Sequence, residues 1–119
     1  RGTLLWSVPV GSGVLFATSG DRLYVSGSDG VLYALAKADG SQIWKTAIGS
    51  GALTAPVVYK GIVAVGLSDE TINIVDGETG RIRYRRWARK GIFSDPVIDE
   101  DKIYYLSNGG RLYSLRFVD

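Results

Sequence analysis

The side chains of this sequence that could take part in chemistry are carboxylates and cations, because histidine and cysteine are absent. Their absence excludes imidazole bases, thiolate nucleophiles and the usual zinc, copper and haem ligands. A pair of carboxylates could still hydrolyse a glycosidic bond. Most of the acidic residues, however, stand in turn signals such as "GSDG" and "DGETG", where Asp bonds nearby backbone N–H groups. The sequence therefore predicts no catalytic residue, no metal and no cofactor, and leaves membership of a larger enzyme open.

One carboxylate stands apart from these turns. Asp95 opens an apolar run in "FSDPVI", and the proline after it favours an extended conformation. Two cations, Arg89 and Lys90, precede it closely in the chain. We predict that Asp95, Arg89 and Lys90 lie together at the mouth of a channel as a small polar binding site. A simple ion pair or a solvated turn is the alternative, since surface pairs of this kind are common and contribute little.

A second candidate is the stretch "RIRYRRWARK", which holds six of the fourteen basic residues. On a strand, alternate side chains share a face. One face would then carry Arg81, Arg83 and Arg85. The other would carry Ile82, Tyr84 and Arg86. The candidate basic surface is formed by Arg81, Arg83, Arg85 and Arg86. It either protects an edge strand from aggregation or binds a polyanion or an acidic partner, although a net charge of +2 does not indicate a nucleic acid.

The elements that must position these residues repeat about every 40 residues. Leu32, Ile72 and Leu112 have this spacing, as do the glycines 40 and 80 and the prolines 56 and 96. Each period contains four short apolar runs rich in β-branched and aromatic residues, separated by turn signals, which is typical of antiparallel strands. In the middle copy the runs cover 53–58, 62–67, 71–76 and 81–87.

Runs such as "IVAVG" are apolar on both faces, so each sheet must be covered on both sides. Four-stranded sheets of about 40 residues that stack face to face are propeller blades. We therefore predict an all-β fold, a single propeller domain over 1–119 with about three blades. The predicted parts are an outer strand at 3–9, blades at 13–47 and 53–87, and three strands of a blade at 93–117. A solenoid of β-hairpins is the alternative.

The segments "LYALAKADGSQIW" and "INIVDGETGRIRY" resemble the signature of the pyrroloquinoline-quinone-like propeller repeat family, and the resemblance covers nearly the whole chain. In that family a tryptophan of the outermost strand docks against the neighbouring blade near a turn glycine. The resemblance implies that Trp6, Trp44 and, by position, Tyr84 dock in this way, with Gly40 and Gly80 allowing close approach.

Three positions depart from the signature. Ala36 stands where an aspartate is expected, Asp39 replaces a turn threonine, and Tyr84 replaces tryptophan. The dehydrogenases of the family hold quinone and calcium with an adjacent-cysteine disulfide, a stacking tryptophan, and Glu, Asn and Asp ligands, a set that this sequence lacks.

The resemblance is therefore closest to the non-enzymatic BamB-type members of the family. It implies a binding or assembly scaffold that acts through protein–protein interactions in a periplasmic, extracellular or cell-surface setting. The alternative is a fragment of a larger quinone-dependent dehydrogenase or carbohydrate-active propeller enzyme.

The predicted strands also suggest how the blades are completed. The first is an outer strand, 3–9, and the last blade has three strands, so two copies could form six blades by exchanging residues 3–9. Upstream blades of the same protein are the alternative partner for that strand. No apolar run approaches the roughly 20 residues of a membrane span.

Overall fold

The computed structural model describes residues 2–10, 15–68, 71–88, 90–92 and 94–116. These ranges contain eleven strands in three antiparallel sheets. The first blade consists of β1 (Leu15–Ser19), β2 (Arg22–Ser26), β3 (Val31–Ala36) and β4 (Gln42–Ala47). The second blade consists of β5 (Val57–Tyr59), β6 (Ile62–Leu67), β7 (Thr71–Asp76) and β8 (Ile82–Trp87). The third blade consists of β9 (Val97–Asp99), β10 (Lys102–Leu106) and β11 (Leu112–Arg116).

Successive strands of each blade pair antiparallel in chain order. The innermost strands, β1, β5 and β9, contact one another from blade to blade. Two four-stranded sheets and one three-stranded sheet are thus arranged as in a propeller, and the all-β fold predicted from the repeat is confirmed. Within the described ranges, no helix is long and apolar enough to cross a membrane.

Two apolar cores lie between the blades, and the alternation of side chains along β6 explains both. Val63 and Val65 face the first blade and pack with Leu32 and Trp44. Ile62 and Ala64 face the third blade, where Ile103 and Tyr105 cover them. The middle blade is thus buried on both faces, as its continuous apolar runs require.

The outer strand predicted at residues 3–9, which would complete another blade, stays a prediction. The structure assigns no strand to residues 2–10, because a strand requires a hydrogen-bonded neighbour and none of the described strands pairs with this segment. The inner strand of the second blade is also shorter than the predicted run 53–58. Pro56 has no N–H to donate to a ladder, and β5 begins only at Val57, with an isolated bridge from Leu53 to Leu67 before it.

A β-bulge interrupts the outermost strand of the second blade. Tyr84 pairs with Ile74 and Ile82 pairs with Val75, so Arg83 is the extra residue between them. A bulge shifts the alternation of side chains. Ile82 consequently packs toward the first core beside Val75, while Tyr84 shares the face of Ile74 toward the second core.

Because of this bulge, the assignment of β8 side chains to two faces predicted from the sequence is wrong. Ile82 does not share a face with Tyr84 and Arg86, and the alternation of the three arginines predicted for the other face is interrupted. β4 has a register shift at the same place in the first blade, so the bulge belongs to the repeat and is not a consequence of the arginine-rich sequence.

Candidate functional site

The contact between the first two blades is built around Trp44 on β4. Its indole N–H donates a hydrogen bond to the carbonyl oxygen of Gly77 at 3.0 Å. The ring lies on Gly80, where a Cβ atom would stand 2.6 Å from Cδ2 of the indole. Thr46 on the same face donates to the carbonyl oxygen of Gly80 at 2.5 Å. The side chain that the signature marks for docking therefore lies on the turn of the next blade.

Two residues that sequence reasoning missed bind the same turn. The Tyr24 hydroxyl donates to the carbonyl oxygen of Gly77 at 3.0 Å, and Nη1 of Arg22 donates to it at 2.8 Å and to the carbonyl oxygen of Glu78 at 3.1 Å. Burial raises the pKa of Tyr24. The signal was available in the repeat, because a polar residue stands at 22 where the next copy has Ile62.

Trp6 makes the corresponding contact one blade earlier. Its indole N–H donates to the carbonyl oxygen of Lys37 at 2.8 Å, and its ring lies on Gly40, where a Cβ would be 2.5 Å from Cε3. This contact holds the segment 2–10 against the first blade although the segment has no strand partner. Leu4 and Leu5, by contrast, project into solvent.

The departures from the repeat signature have clear consequences in the turns. Asp39 does what Thr79 does one repeat later. Its Oδ1 accepts from the backbone N–H of Ser41 at 2.9 Å, and this bond lowers the pKa of the Asp39 carboxyl. Thr79 accepts from the backbone N–H of Arg81 at 3.2 Å. The aspartate replaces the threonine with the same hydrogen bond retained.

Asp76 illustrates what the first turn lacks. Its Oδ1 accepts from the backbone N–H groups of Glu78 at 2.9 Å and Thr79 at 3.4 Å. Ala36 stands at this position in the first blade and has no acceptor to offer. The remaining backbone bonds are nevertheless the same, since Gly40 donates to the carbonyl of Ala36 at 2.8 Å and Gly80 to that of Asp76 at 2.8 Å.

Tyr84, the third residue expected to dock, lies on no turn within the described part of the chain. Its side chain is 38% exposed, and its hydroxyl accepts from Nη1 of Arg86 at 3.4 Å. Both residues face the third blade, where Tyr105 and Tyr113 stack with ring centroids 4.8 Å apart. Burial raises the pKa of Tyr105.

The four arginines of the candidate basic surface do not have one role. Arg85 turns inward, toward the first blade. Its Nε donates to Oδ1 of the fully buried Asn73 at 2.6 Å, and its Nη2 to the carbonyl oxygen of Ile48 at 2.5 Å. Asn73 in turn donates to Thr71 at 3.0 Å. Arg85 is nevertheless solvent-exposed, as are the other three arginines on or beside β8, Arg81, Arg83 and Arg86.

This inward-facing network was also missed, and its signal lies in "TINIVD". The residues around Asn73 in that run, Ile72, Ile74 and Val75, are apolar, so a polar side chain among them requires a buried partner. The partner is Arg85 on the adjacent strand, directly opposite Asn73 in the register.

The three residues of the predicted channel-mouth site are placed differently. Asp95 is exposed, and its Oδ1 accepts from the backbone N–H of Ala55 at 3.0 Å, which links the inner segments of the second and third blades. Lys90 is exposed and has a φ of 63°; its carbonyl oxygen accepts from Asn108 at 3.1 Å. The described residues show no ion pair between Lys90 and Asp95, and Arg89 lies outside them. Nor do the described ranges contain a group of three or more His, Cys, Asp or Glu side chains that could hold a metal ion.

Comparison with solved structures agrees with this fold. BamB from Moraxella catarrhalis superposes with a TM-score of 0.74 at 24% identity, covering 85% of this chain and 32% of that chain. The quinohemoprotein alcohol dehydrogenase ADHIIG from Pseudomonas putida HK5 superposes with a TM-score of 0.80 at 22% identity, covering 96% and 21%. At these identities, the two likenesses show the fold alone.

Sequence comparison is more specific. Outer membrane protein assembly factor BamB of Shewanella oneidensis is 28% identical over 113 residues, which is 93% of this chain and 29% of that protein. The chain thus spans less than a third of the length of this relative. The family model described as outer membrane protein assembly factor BamB matches residues 1–119. Because that match extends over the whole chain, the chain belongs to the BamB family of pyrroloquinoline-quinone-like propeller repeats.

Proposed function

We propose that the protein is a non-enzymatic scaffold for protein–protein interactions in outer-membrane protein assembly, and that it acts in the cell envelope on the periplasmic side. The observation that carries the proposal is the match of the assembly-factor family to the entire chain. The geometry supports it, because Trp6 and Trp44, which carry the repeat signature, lie on turns of the following blade. The repeats thereby form a stacked body with an exposed outer rim.

Genetic complementation tests this function. The full-length protein is expressed in a bacterium from which its own assembly factor BamB has been deleted, and folded outer-membrane proteins are quantified. We expect their levels to recover toward those of the parent strain. A matched variant, Trp44→Ala, should recover less because it loosens the blade contact. Full-length protein that is exported and folded but restores nothing would contradict the proposal.

The enzyme alternative has its own test. The full-length protein is titrated with pyrroloquinoline quinone and calcium, and binding is followed by calorimetry. The scaffold proposal expects no saturable, stoichiometric binding. Tight one-to-one binding would favour a quinone-dependent dehydrogenase and would count against a purely structural role.

The partner of the third blade is a further part of this proposal. We propose that a fourth strand of the same type as residues 3–9 adds to β11, where Leu112 is 70% exposed. That strand comes either from a second copy, as an exchange within a homodimer, or from another blade of a longer chain. The molecular mass in solution distinguishes a strand from a second copy from a strand of the same longer chain. Sedimentation of the 119-residue chain to nanomolar concentration should show a dimer in the first case and a monomer in the second.

A further inference from the structure

The repeat provides an internal comparison for the outermost strand of a blade. β4 and β8 have the same place in their sheets, each paired on one side only within the described residues. Ala47 pairs with Val31 at the end of β4, and Trp87 pairs with Thr71 at the end of β8. β4 shows that stacking of blades does not require a tryptophan there.

The two strands also differ in charge, because β8 carries arginines where β4 has neutral residues. Thr46 on β4 corresponds to Arg86 on β8, and Ser41 before β4 corresponds to Arg81 before β8. Among the described residues, ion pairs join Asp101 with Lys102 and Arg116. None of them reaches Arg81 or Arg86. The charges of Arg81 and Arg86 therefore take part in neither of these ion pairs, and the first blade, which has serine and threonine at the matching positions, shows that the repeat does not need them.

Trp87 adds an apolar contact to this charged edge. Its side chain is 70% exposed, the most of any large aromatic side chain in the described residues. Tryptophan and arginine are the residue types that most often dominate binding energy at protein interfaces. A large exposed aromatic side chain on the same strand as Arg86, which no ion pair of the described residues reaches, therefore indicates an interaction surface rather than a solvated edge.

The strand is also held in place for binding. Arg85 joins β8 to Asn73 on β7 and to the carbonyl of Ile48 in the first blade. This clamp fixes the middle of the strand, while its outer edge keeps backbone N–H and C=O groups that no described strand pairs. An edge of this kind accepts an added strand, and main-chain hydrogen bonds then supply affinity.

We propose that β8 binds an extended acidic protein segment, which pairs with its outer edge as an additional strand. The proposal rests on the scaffold function and names the chemistry of one partner. Carboxylates of the segment meet Arg81 and Arg86, and a neighbouring apolar side chain covers Trp87. Charge complementarity selects this occupant, because a second copy of β8 would place like charges against each other. Six residues of β8 span about 20 Å, so a segment of similar length suffices.

Peptide binding tests the inference with the full-length protein. The probe is a labelled peptide in which glutamate alternates with valine over eight residues, and its affinity is measured by fluorescence anisotropy. Amide signals of β8 should shift on binding. A peptide with lysine in place of glutamate should not bind. A peptide N-methylated at alternate residues, which keeps its charge but cannot complete a ladder, should bind at least about tenfold more weakly.

The matched variants place on β8 the residues that β4 has at the corresponding positions. Arg86→Thr with Trp87→Ala gives β8 the residues of β4 and should weaken binding by about tenfold or more. Lys45→Ala on β4 is the control and should leave the affinity unchanged. Equal binding of the N-methylated peptide, or of heparin at matched charge in competition with the peptide, would overturn strand addition and indicate a general polyanion surface.

The peptide-binding test and the complementation test can fail independently of each other. If the acidic peptide does not bind but the full-length protein restores outer-membrane protein assembly, the inference about β8 is wrong and the function stands. If the peptide binds to β8 but assembly is not restored, the proposed function fails while β8 remains a peptide-binding edge.

Discussion

The indole nitrogen of Trp44 in the first blade lies 3.0 Å from the carbonyl oxygen of Gly77 in the second, and the same oxygen accepts from Arg22 and Tyr24. One carbonyl of a β-turn thus receives three donors from the preceding blade. Because all three donors are side chains of one sheet and the acceptor belongs to the next, this turn joins the two blades. Substitutions in the turn and substitutions of Trp44 can therefore measure separately how much each side of the contact contributes to the free energy of unfolding.

Gly80→Ala should destabilise the protein by about 2–4 kcal/mol for two reasons. The alanine would have to adopt a left-handed backbone conformation, which is strained for residues with a Cβ atom, and that Cβ atom would clash with the Trp44 ring. Gly80 has a φ of 80°, and its Cβ would stand 2.6 Å from the Trp44 ring. Gly61→Ala is the matched control, since Gly61 has the same φ but no atom within 4 Å of its Cβ position. Urea unfolding of both variants measures the difference, which is the cost of displacing the ring. Equal losses would show that the indole does not require the glycine.

Trp44→Phe should cost about 1–2 kcal/mol, because it removes one hydrogen bond and part of a buried ring. The loss stays moderate, since the carbonyl of Gly77 keeps its bonds from Arg22 and Tyr24. Trp44→Ala, which leaves a cavity, should cost about 3–5 kcal/mol. Denaturant midpoints at constant m-value distinguish the two. A Phe variant as damaged as the Ala variant would mean that the N–H, and not packing, holds the blades together.

Arg85→Ala should destabilise the protein by about 1–3 kcal/mol, because it leaves the amide oxygen of the buried Asn73 without a partner. Arg86→Ala on the neighbouring exposed position should change stability by no more than about 0.5 kcal/mol. The double variant Arg85→Ala with Asn73→Val should recover part of the loss, since it removes both members of the pair. Chemical unfolding of the parent protein, the two single variants Arg85→Ala and Asn73→Val, and their double variant completes a double-mutant cycle. Additive effects would show that the two side chains are not coupled.

The contrast between Arg85 and its neighbours shows where sequence reasoning reached its limit. The 40-residue spacing was sufficient to predict the blades, because all three copies repeat the apolar runs and the first two repeat the same turn glycine and outer aromatic residue. It was not sufficient to orient side chains on β8. The bulge at Arg83 shifts the alternation, and a bulge that occurs at the same place in the first two blades leaves the 40-residue period unchanged. A period-two interpretation therefore placed Arg85 on a free surface.

The candidate channel-mouth site shows a second limit. Opposite charges close in sequence suggested that Asp95 pairs with a cation, yet its carboxylate accepts from the backbone of Ala55. That donor is 40 residues away and belongs to the neighbouring blade. Composition identifies charged side chains, whereas backbone donors at a blade contact are visible only once the sheets are stacked. The docking of Trp44, by contrast, involves a residue type and a turn that the repeat signature specifies together.

Two buried tyrosines predict how the protein responds to alkali. Burial raises the pKa values of Tyr24 and Tyr105 above the ordinary value of 10.0. Below that pH both hydroxyls are neutral in folded and unfolded chains, so their stabilising effect is complete. As the pH rises past the unfolded pKa toward the raised folded pKa, only the unfolded chain ionises, and stability is lost progressively. Urea unfolding at a series of pH values from 8 to about 11.5 should therefore show a fall in unfolding free energy that begins near pH 10.

Replacing each buried tyrosine by phenylalanine tests which of them causes the loss of stability at alkaline pH. Tyr24→Phe should lower stability at pH 8 by about 0.5–1.5 kcal/mol through its lost hydrogen bond, yet its stability should fall less steeply above pH 10 than that of the unmodified protein. Tyr105→Phe should reduce the slope in the same way, and the double variant should reduce it further, because the tyrosines lie in different cores. If both variants fall as steeply as the parent protein, the alkaline loss arises elsewhere, and the buried hydroxyls ionise as readily in the folded chain as in the unfolded one.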